Sequence, residues 1–457
     1  MNIMLFVKAL KFNQLRFNSF LINVLAVSIL FCISTSNLFA NTPKTILRIH
    51  GSNTIGAKLM PALAVRYMEM NGYQLVNKEK GAGENEFFIV GAKDNDVHRI
   101  EIKAHGSSTG FKSLKSNACD IGMASRRIKK KEVDGLKALG DMTSIKNEHI
   151  LAIDGIAIIV NKANKIKEAD KILLQKLFSG KLKNWKQAGG KDALVKVYAR
   201  DNQSGTYDTF KSMILKKISL HAKAKRYESN ADLSRAVSKD PNGIGFVGMP
   251  YVLNSKALLV KRTPDTPGIE GNFLTLACED YPLARRLYLY SAEKKANKYV
   301  NEFIDFCLGE EGQNIVSLLG FAKLAMDMDA FFEANTSRFK EPSHNNRYKS
   351  EIFGGHKVNF NFKFTESGDL EVRSQKDLER LIKYVRQPDQ RFYELVLIGV
   401  NACSQARDLK DTIVQQIGIN QFYVPPKAIC LDYVSTRSGK SIKPVVEVWM
   451  RAVDDGA

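Results

Sequence analysis

Apolar positions fall into two regimes along this chain. From Thr45 to about Asp120, short apolar runs such as Ile46-Leu47-Arg48-Ile49 and Arg99-Ile100-Glu101-Ile102 each end in a polar loop containing glycine. After the first of these loops Leu59, Leu63 and Tyr67 recur at helical spacing, and a short helical segment is predicted around Phe111 to Lys115. Strands alternating with helices predict a doubly wound α/β lobe, with its ligand outside the carboxyl ends of the strands. Asp120 to Ser125 continues that lobe as a buried strand, and Arg126 and Arg127 follow it. His149 to Asn161 is the longest apolar strand signal; it fits a strand buried on both faces that carries the chain into a second lobe. Ile166 to Phe178 reads as an amphipathic helix closed by Gly180, and Val195 to Ala199 and Gly243 to Met249 read as strands. Tyr281-Pro282 leads into a strand through Tyr290 that would return to the first lobe, ahead of helices over Lys298–Leu308 and Glu310–Leu319. Two lobes over residues 44–330, crossed near 150–160 and 280–290, make a cleft that can hinge.

After Met326 the pattern changes. Residues 331–352 are polar and read as a linker. Val358 to Phe364 then alternates as a strand, Gln375–Val385 and Ser404–Gln416 read as helices, and Tyr393–Val400 and Val445–Met450 read as strands, a compact α+β module over 353–452. At the other end, Lys8, Lys11 and Arg16 precede an apolar stretch from Phe20 to about Ile33, with Ala40 as a small residue at a cleavage point. Residues 1–40 therefore read as a secretory signal peptide, which places the mature chain in the periplasm; an uncleaved anchor is the alternative, although the run is short for a full span.

A length of 457 residues exceeds one ordinary core, and 44% hydrophobic with 25% charged residues matches soluble globular proteins. The formal net charge is +20; the first forty residues hold three positive charges and no acid, which leaves +17. That balance attracts anions, and export makes nucleic acid the least fitting of them. Of the five cysteines beyond residue 40, the expected pairs are Cys278 with Cys307 and Cys403 with Cys430, each within one domain, with Cys119 as a buried thiol. No CxxC or histidine cluster has metal-ligand spacing, so neither a metal nor a cofactor is expected.

The candidate chemistry centres on Arg200-Asp201-Asn202-Gln203-Ser204-Gly205-Thr206, between a predicted strand and a predicted helix. A helix start aims free backbone N–H groups at an oxyanion, and Arg200, Ser204 and Thr206 add a guanidinium fork and hydroxyls. A lone Ser-Gly-Thr is more often a simple helix cap. Here the pattern recurs as Gly51-Ser52-Asn53-Thr54-Ile55-Gly56 and Gly106-Ser107-Ser108-Thr109-Gly110, which suggests one anion held from several sides. Ser107, Ser108 and Ser204 show no legible Ser-His-acid arrangement, and His105 and His149 read as ordinary polar residues, so a binding protein is expected rather than an enzyme.

With Asp120 to Arg126, Ile153-Asp154-Gly155, Phe178-Ser179-Gly180, Asn184-Trp185, Tyr281-Pro282 and Gly312-Gln313 following in order, Thr45 to about Lys323 resembles the periplasmic phosphate-binding protein of the ABC phosphate uptake system, the PstS-type family. The resemblance implies a two-lobe periplasmic binding protein, type II-like, with inorganic phosphate in the cleft and an ABC transporter permease as partner. It puts ligand contacts on Thr54, Ile55, Ser107, Ser125, Arg200, Ser204, Gly205 and Thr206; Ser52, Ser108 and Arg126 adjoin them in the same motifs. Where some members carry an Asp that accepts the proton of hydrogen phosphate, this chain has Ser125, which donates or accepts. Arg126 beside it implies a more positive pocket, with sulfate as a competing ligand. The C-terminal module resembles the peptidoglycan-binding domain of OmpA-type outer-membrane proteins over Phe360 to Met450, implying association with the cell wall. Arg407 fits that family's ligand-binding arginine, while the position of its aspartate falls near Ala402. A structural, adhesive or sensing envelope protein that binds an oxyanion is the alternative function.

Overall fold

The computed structural model describes residues 42–262, 264, 266–292, 297–324, 352, 354–387, 393–431 and 444–453. The predicted signal peptide lies outside them, as does the predicted linker apart from Ile352.

The first unit is built on one sheet that runs through both lobes. Its strands are β1 (Lys44–Gly51), β2 (Gln74–Lys80), β3 (Glu86–Lys93), β4 (Asp96–Lys103), β5 (Ile121–Ala124), β6 (Glu148–Val160), β8 (Lys196–Arg200), β9 (Lys225–Tyr227), β10 (Gly243–Gly248), β11 (Lys256–Ala257) and β13 (Ala284–Ser291). They lie in the order β2-β3-β4-β1-β5-β13-β6-β10-β8-β9, with β11 beside β6; β7 (Glu168–Asp170) and β12 (Leu259–Lys261) pair separately. Strand β6 joins the lobes. Its first part pairs antiparallel with β13 through Gly155, and its second part pairs with β10 from Ile156 onward.

The period of two explains the burial of β6 from Ile156 to Val160; ahead of it a register shift puts Ala152 with Leu151 on one face and Ile153 with Ile150 on the other. Ile150, Ile156, Ile158 and Val160 enter the apolar layer on one face, while Leu151, Ala157 and Ile159 enter the layer on the other. Helices cover both faces. Helix α1 (Asn53–Gly56), α2 (Leu59–Met70), α7 (Asn230–Lys239), α9 (Lys298–Leu308) and α10 (Glu310–Leu318) lie against the second layer, and α3 (Ser107–Lys115), α4 (Lys130–Leu136), α5 (Lys171–Phe178), α6 (Gly205–Phe210) and α8 (Phe273–Ala277) against the first. The predicted helix over 166–178 begins only at Lys171, because the Asp170 carboxylate accepts from the N–H groups of Ile172 and Leu173 and caps it there.

The expected Cys278–Cys307 disulfide does not form, and both thiols are buried and free of a disulfide. Cys278 belongs to one apolar layer and Cys307 to the other, so the sheet stands between them. Cys119 is likewise a buried thiol.

The second unit holds β14 (Gly355–Lys363), α11 (Val372–Val385), β15 (Tyr393–Val400), α12 (Cys403–Ile417), β16 (Lys427–Leu431) and β17 (Val445–Ala452), in the sheet order β14-β17-β15-β16. Strands β15 and β16 are parallel, whereas β17 runs antiparallel to its neighbours β14 and β15. Val358, Phe360 and Phe362 face its core with Leu381, Leu397 and Ile413. The Cys403–Cys430 disulfide ties the start of α12 to β16. Ile352, which the sequence assigns to the linker, is buried against Val396, Ile398 and Trp449 of this unit. Among the described residues no helix is long and apolar enough to cross a membrane.

Candidate functional site

Strand β8 ends at Arg200, whose side chain is 1% exposed. Its Nε donates to Tyr227 O at 3.2 Å and its Nη2 to Glu228 O, backbone carbonyls of the last residue of β9 and the one after it. Nη1 is buried with no hydrogen-bonding partner among the described residues. Burial pulls the Arg200 pKa down to about 10, against the pull of Asp201, so the group stays cationic at neutral pH.

The loop after Arg200 is shaped by its own polar groups. Asp201 Oδ1 accepts from the backbone N–H groups of Gln203 (2.6 Å) and Ser204 (2.9 Å), an Asx-type turn. Ser204 Oγ accepts from Tyr207 N at 3.3 Å and caps α6. The first N–H groups of a helix lack an intrahelical acceptor, so the start of α6 offers Gly205 and Thr206 N–H groups beside Arg200. Gly205 is required there: a Cβ would lie 2.1 Å from Ser107 Oγ and 2.7 Å from Ser125 Oγ.

From the other lobe come the starts of α1 and α3 and the end of β5. Ser107 Oγ accepts from Ser125 N at 3.0 Å and lies 3.4 Å from Ser125 Oγ. Thr54 Oγ1 and Thr206 Oγ1 meet across the lobes at 3.1 Å. Asn230 reaches from α7 to Asn53 Oδ1 (3.2 Å) and Thr54 Oγ1 (3.3 Å), and Tyr251 OH donates to Thr54 O at 3.0 Å. Gly106, with φ of 120°, lets Ser108 N approach Gln203 O at 3.4 Å; a Cβ on Gly106 would stand 2.5 Å from that oxygen. His105 bridges Glu86 of its own lobe (3.1 Å) and Glu228 of the other (2.9 Å). Although burial works against its charge, those two carboxylates raise the His105 pKa. The lobes are closed on one another.

Thr54, Ser107, Ser125, Arg200, Ser204, Gly205 and Thr206 are thus brought together, all buried. Ile55 and Ser52 are buried beside them at the start of α1. Arg126 differs from expectation. Its Nε donates to Asp208 (2.8 Å), its two Nη atoms to Glu132 (2.8 and 2.6 Å) and Nη2 also to Ser108 Oγ (3.2 Å). Two carboxylates therefore offset its charge, so it does not make the pocket more positive, and Ser108 is drawn to Arg126. Arg407 is exposed on α12 in the other unit.

Neither Asp154, which figures only within the Ile153-Asp154-Gly155 motif, nor Arg285 is among the site residues expected from sequence, yet they form a buried ion pair at this centre. Arg285 Nε and Nη2 donate to Asp154 Oδ2 at 3.0 and 2.6 Å, and Nη2 approaches Thr54 Oγ1 at 3.4 Å. Arg285 Nη1, like Arg200 Nη1, is buried without a partner among the described residues. Burial raises the Asp154 pKa, opposed by Arg285 and by Met249 N–H. Asp154, the one charged residue between Ile150 and Val160, was the available signal, because a buried charge needs a partner.

Two lobes on a continuous sheet, closed over hydroxyls, a helix start and unsatisfied guanidinium nitrogens, define a solute-binding protein of the periplasmic type. Residues 41–311 match the family model described as the PBP superfamily domain, and the chain belongs to that family. Within it the chain is PstS-type. It is 30% identical over 247 residues to the phosphate-binding protein PstS of Borreliella burgdorferi, covering 52% of this chain and 84% of that protein. Identity is 34% over 234 residues to PstS of Staphylococcus saprophyticus, covering 49% and 71%. The crystal structure of a putative phosphate ABC transporter substrate-binding protein from Clostridium perfringens, with bound phosphate, is 27% identical with a TM-score of 0.50, covering 61% of this chain and 99% of that one.

Asp154→Asn removes the only carboxylate that Arg285 pairs with in the described residues. Stranding one member of a buried pair costs about 3–5 kcal/mol. Urea unfolding should show a fall of that size; a loss below about 1 kcal/mol would mean that Arg285 is hydrated or paired elsewhere.

Proposed function

We propose that this chain captures inorganic phosphate in the cleft between its lobes and delivers it, in the periplasm, to a membrane transporter of the ATP-binding-cassette class. The observation that carries the reading is Arg200: a buried guanidinium with one unsatisfied nitrogen, at the meeting point of the Thr54, Ser107, Ser125 and Thr206 hydroxyls and the start of α6. Such a group is stabilised by an anion that also accepts hydrogen bonds from all round, which a tetrahedral oxyanion does. The PstS relatives and the phosphate-bound Clostridium protein support phosphate over other anions. No covalent step is assigned; the work is capture, closure and release.

Within this reading Thr54, Ser107, Ser125, Arg200 and Thr206 donate to the phosphate oxygens through side chains, and Ile55, Gly205 and Thr206 through backbone N–H groups. Ser204 holds the loop, and Arg285, whose charge Asp154 offsets, adds an Nη1 donor near Thr54 that is unpartnered among the described residues. A sensing role without a transporter is the second reading, favoured by the module packed onto the binding unit beyond the matched span.

The module's OmpA-like resemblance extends the proposal to the cell wall, where its residues argue for weak attachment. A zwitterionic wall peptide needs a cation and an anion; Arg407 offers the first, whereas Ala402, 1% exposed, stands at the position expected for the second.

Arg200→Ala should weaken phosphate binding by about a hundredfold or more, since charge-assisted hydrogen bonds contribute roughly 1.5–3 kcal/mol each. Calorimetry on the folded variant tests this, and unchanged affinity would take Arg200 out of the site. Ser125→Asp should keep phosphate, which can bring a proton, and depress sulfate, which cannot; competition calorimetry at several pH values separates the two. Equal losses for both anions would assign selectivity elsewhere. Purified peptidoglycan should retain the full chain weakly, and more strongly after Ala402→Asp. Tight retention of the wild type that is lost on Arg407→Ala would show that another acid serves the wall peptide.

A further inference from the structure

The alternation along β14 has a second face. Val358, Phe360 and Phe362 point into the module, while Lys357, Asn359, Asn361 and Lys363 reach the binding unit. Asn361 Nδ2 donates to Cys278 O at 2.6 Å and Asn359 Nδ2 to Leu324 O at 3.4 Å, while Lys357 Nζ lies 3.4 Å from Asp280. The focus is Glu279, which accepts from Lys363 at 2.6 Å, from Arg373 of α11, and from Arg286 of β13 at 2.7 Å. Burial alone would raise the Glu279 pKa; the three cations hold it well below the usual carboxylate range. Its backbone sits at φ 53°, a region that residues with side chains rarely adopt.

Arg286 is the neighbour of Arg285 on β13, which pairs with β6, the strand that joins the lobes, up to the join at Gly155. Adjacent residues of one strand therefore serve the cleft, through Asp154 and Thr54, and the module, through Glu279. Beside them lies a cavity of about 500 Å³ bounded by Arg127 of the first lobe, Ser212 of the second, and Lys363 and Glu371 of the module. The module thus borders both lobes where they hinge.

We propose that the C-terminal module is a clamp on the hinge of the binding unit: its docking through β14 and Arg373 onto Cys278-Glu279-Asp280 favours the closed cleft, and the anion in the cleft favours docking in return. The closed cleft and the docked module occur together in this structure, and linkage makes the effect reciprocal, typically 5- to 150-fold. The proposal rests on the phosphate-binding reading and adds regulation of that site by the chain's own module. Because the contacts are amide-to-carbonyl and ionic, both surfaces can be hydrated on release, which suits a reversible clamp.

The buried Cys278 thiol, with its Sγ 3.9 Å from Val358 O, reports docking. In the full chain, phosphate should slow thiol labelling of Cys278, resolved by mass spectrometry, by at least about fivefold, with Cys307 in α9 as the internal control. The double variant Asn361→Ala/Lys363→Ala should label faster at Cys278 and bind phosphate at least about fivefold more weakly, with faster dissociation. Wild-type labelling of Cys278 that phosphate does not change, while calorimetry shows phosphate bound, overturns the clamp and leaves the binding reading standing. So does a variant with accelerated labelling and unchanged phosphate affinity. Absence of phosphate binding by the wild type overturns both, and if the variant misfolds or stays docked the wild-type comparison decides alone.

Discussion

The structure depends on a charge placed where water cannot reach it. Arg200 is held by two backbone carbonyls, which orient the guanidinium without neutralising it, and no described carboxylate forms an ion pair with it. Burying an ion costs several kcal/mol even after relaxation. A protein meets that cost only if something else carries the opposite charge, and in the function proposed above a ligand takes that position. The surrounding groups obey the same logic: Ser125 and Ser107 are oriented by one another, and Gly205 has no side chain because a Cβ would strike both hydroxyls. Preorganisation of this kind costs folding stability and, in the proposed function, would return it as affinity for one class of anion.

Closure follows from how the two kinds of contact are distributed. The apolar layers run along the sheet and hold each lobe together, whereas the contacts across the cleft are polar: Thr54 with Thr206, Asn230 with Asn53, and His105 with Glu228. Polar groups can exchange partners with water on opening at small net cost, because a typical hydrogen bond contributes only about 0.5–1.5 kcal/mol net. Apolar surface cannot. Strand β6 pairs with β13 on one side of the join and with β10 on the other, with apolar cores on both faces, and Asp154 and Arg285 sit in the β6–β13 pairing, so bending about that point would leave both cores intact.

Much of this was legible because strands and helix starts advertise themselves locally. The apolar alternation of β6, the three glycine-opened helix starts and the Arg200 loop are patterns within about a dozen residues, and the structure has a strand, or a loop leading into a helix, in each place. What was not legible depends on contacts between distant segments. Asp154 and Arg285 are 131 residues apart, and only the strand register makes them a pair. Arg126 looked like a site cation because Asp208 on α6, 82 residues away, approaches it only through the fold, although its other partner, Glu132, lies just six residues on. The Cys278–Cys307 expectation failed for the same reason: sharing a domain says nothing about which face of a sheet each thiol occupies.

Docking of the module extends this argument to the whole chain. A strand that alternates apolar with polar is ordinarily read as half-buried, with its polar face in water. In β14 part of the polar face is itself buried, with Lys357 at 6% and Asn359 at 3% exposure and Asn361 and Lys363 partly exposed, and its lysines and asparagines meet carboxylates and carbonyls of the binding unit. Polar docking of this kind adds less stability than an apolar interface, since desolvation offsets much of the attraction. It does fix orientation, because Glu279 can receive Arg286, Lys363 and Arg373 together in few geometries. A strongly apolar interface would weld the module to one lobe. In the proposed clamp, an ionic cluster on the strand that pairs with β6 would let a ligand with differential affinity for the two arrangements shift the docking equilibrium.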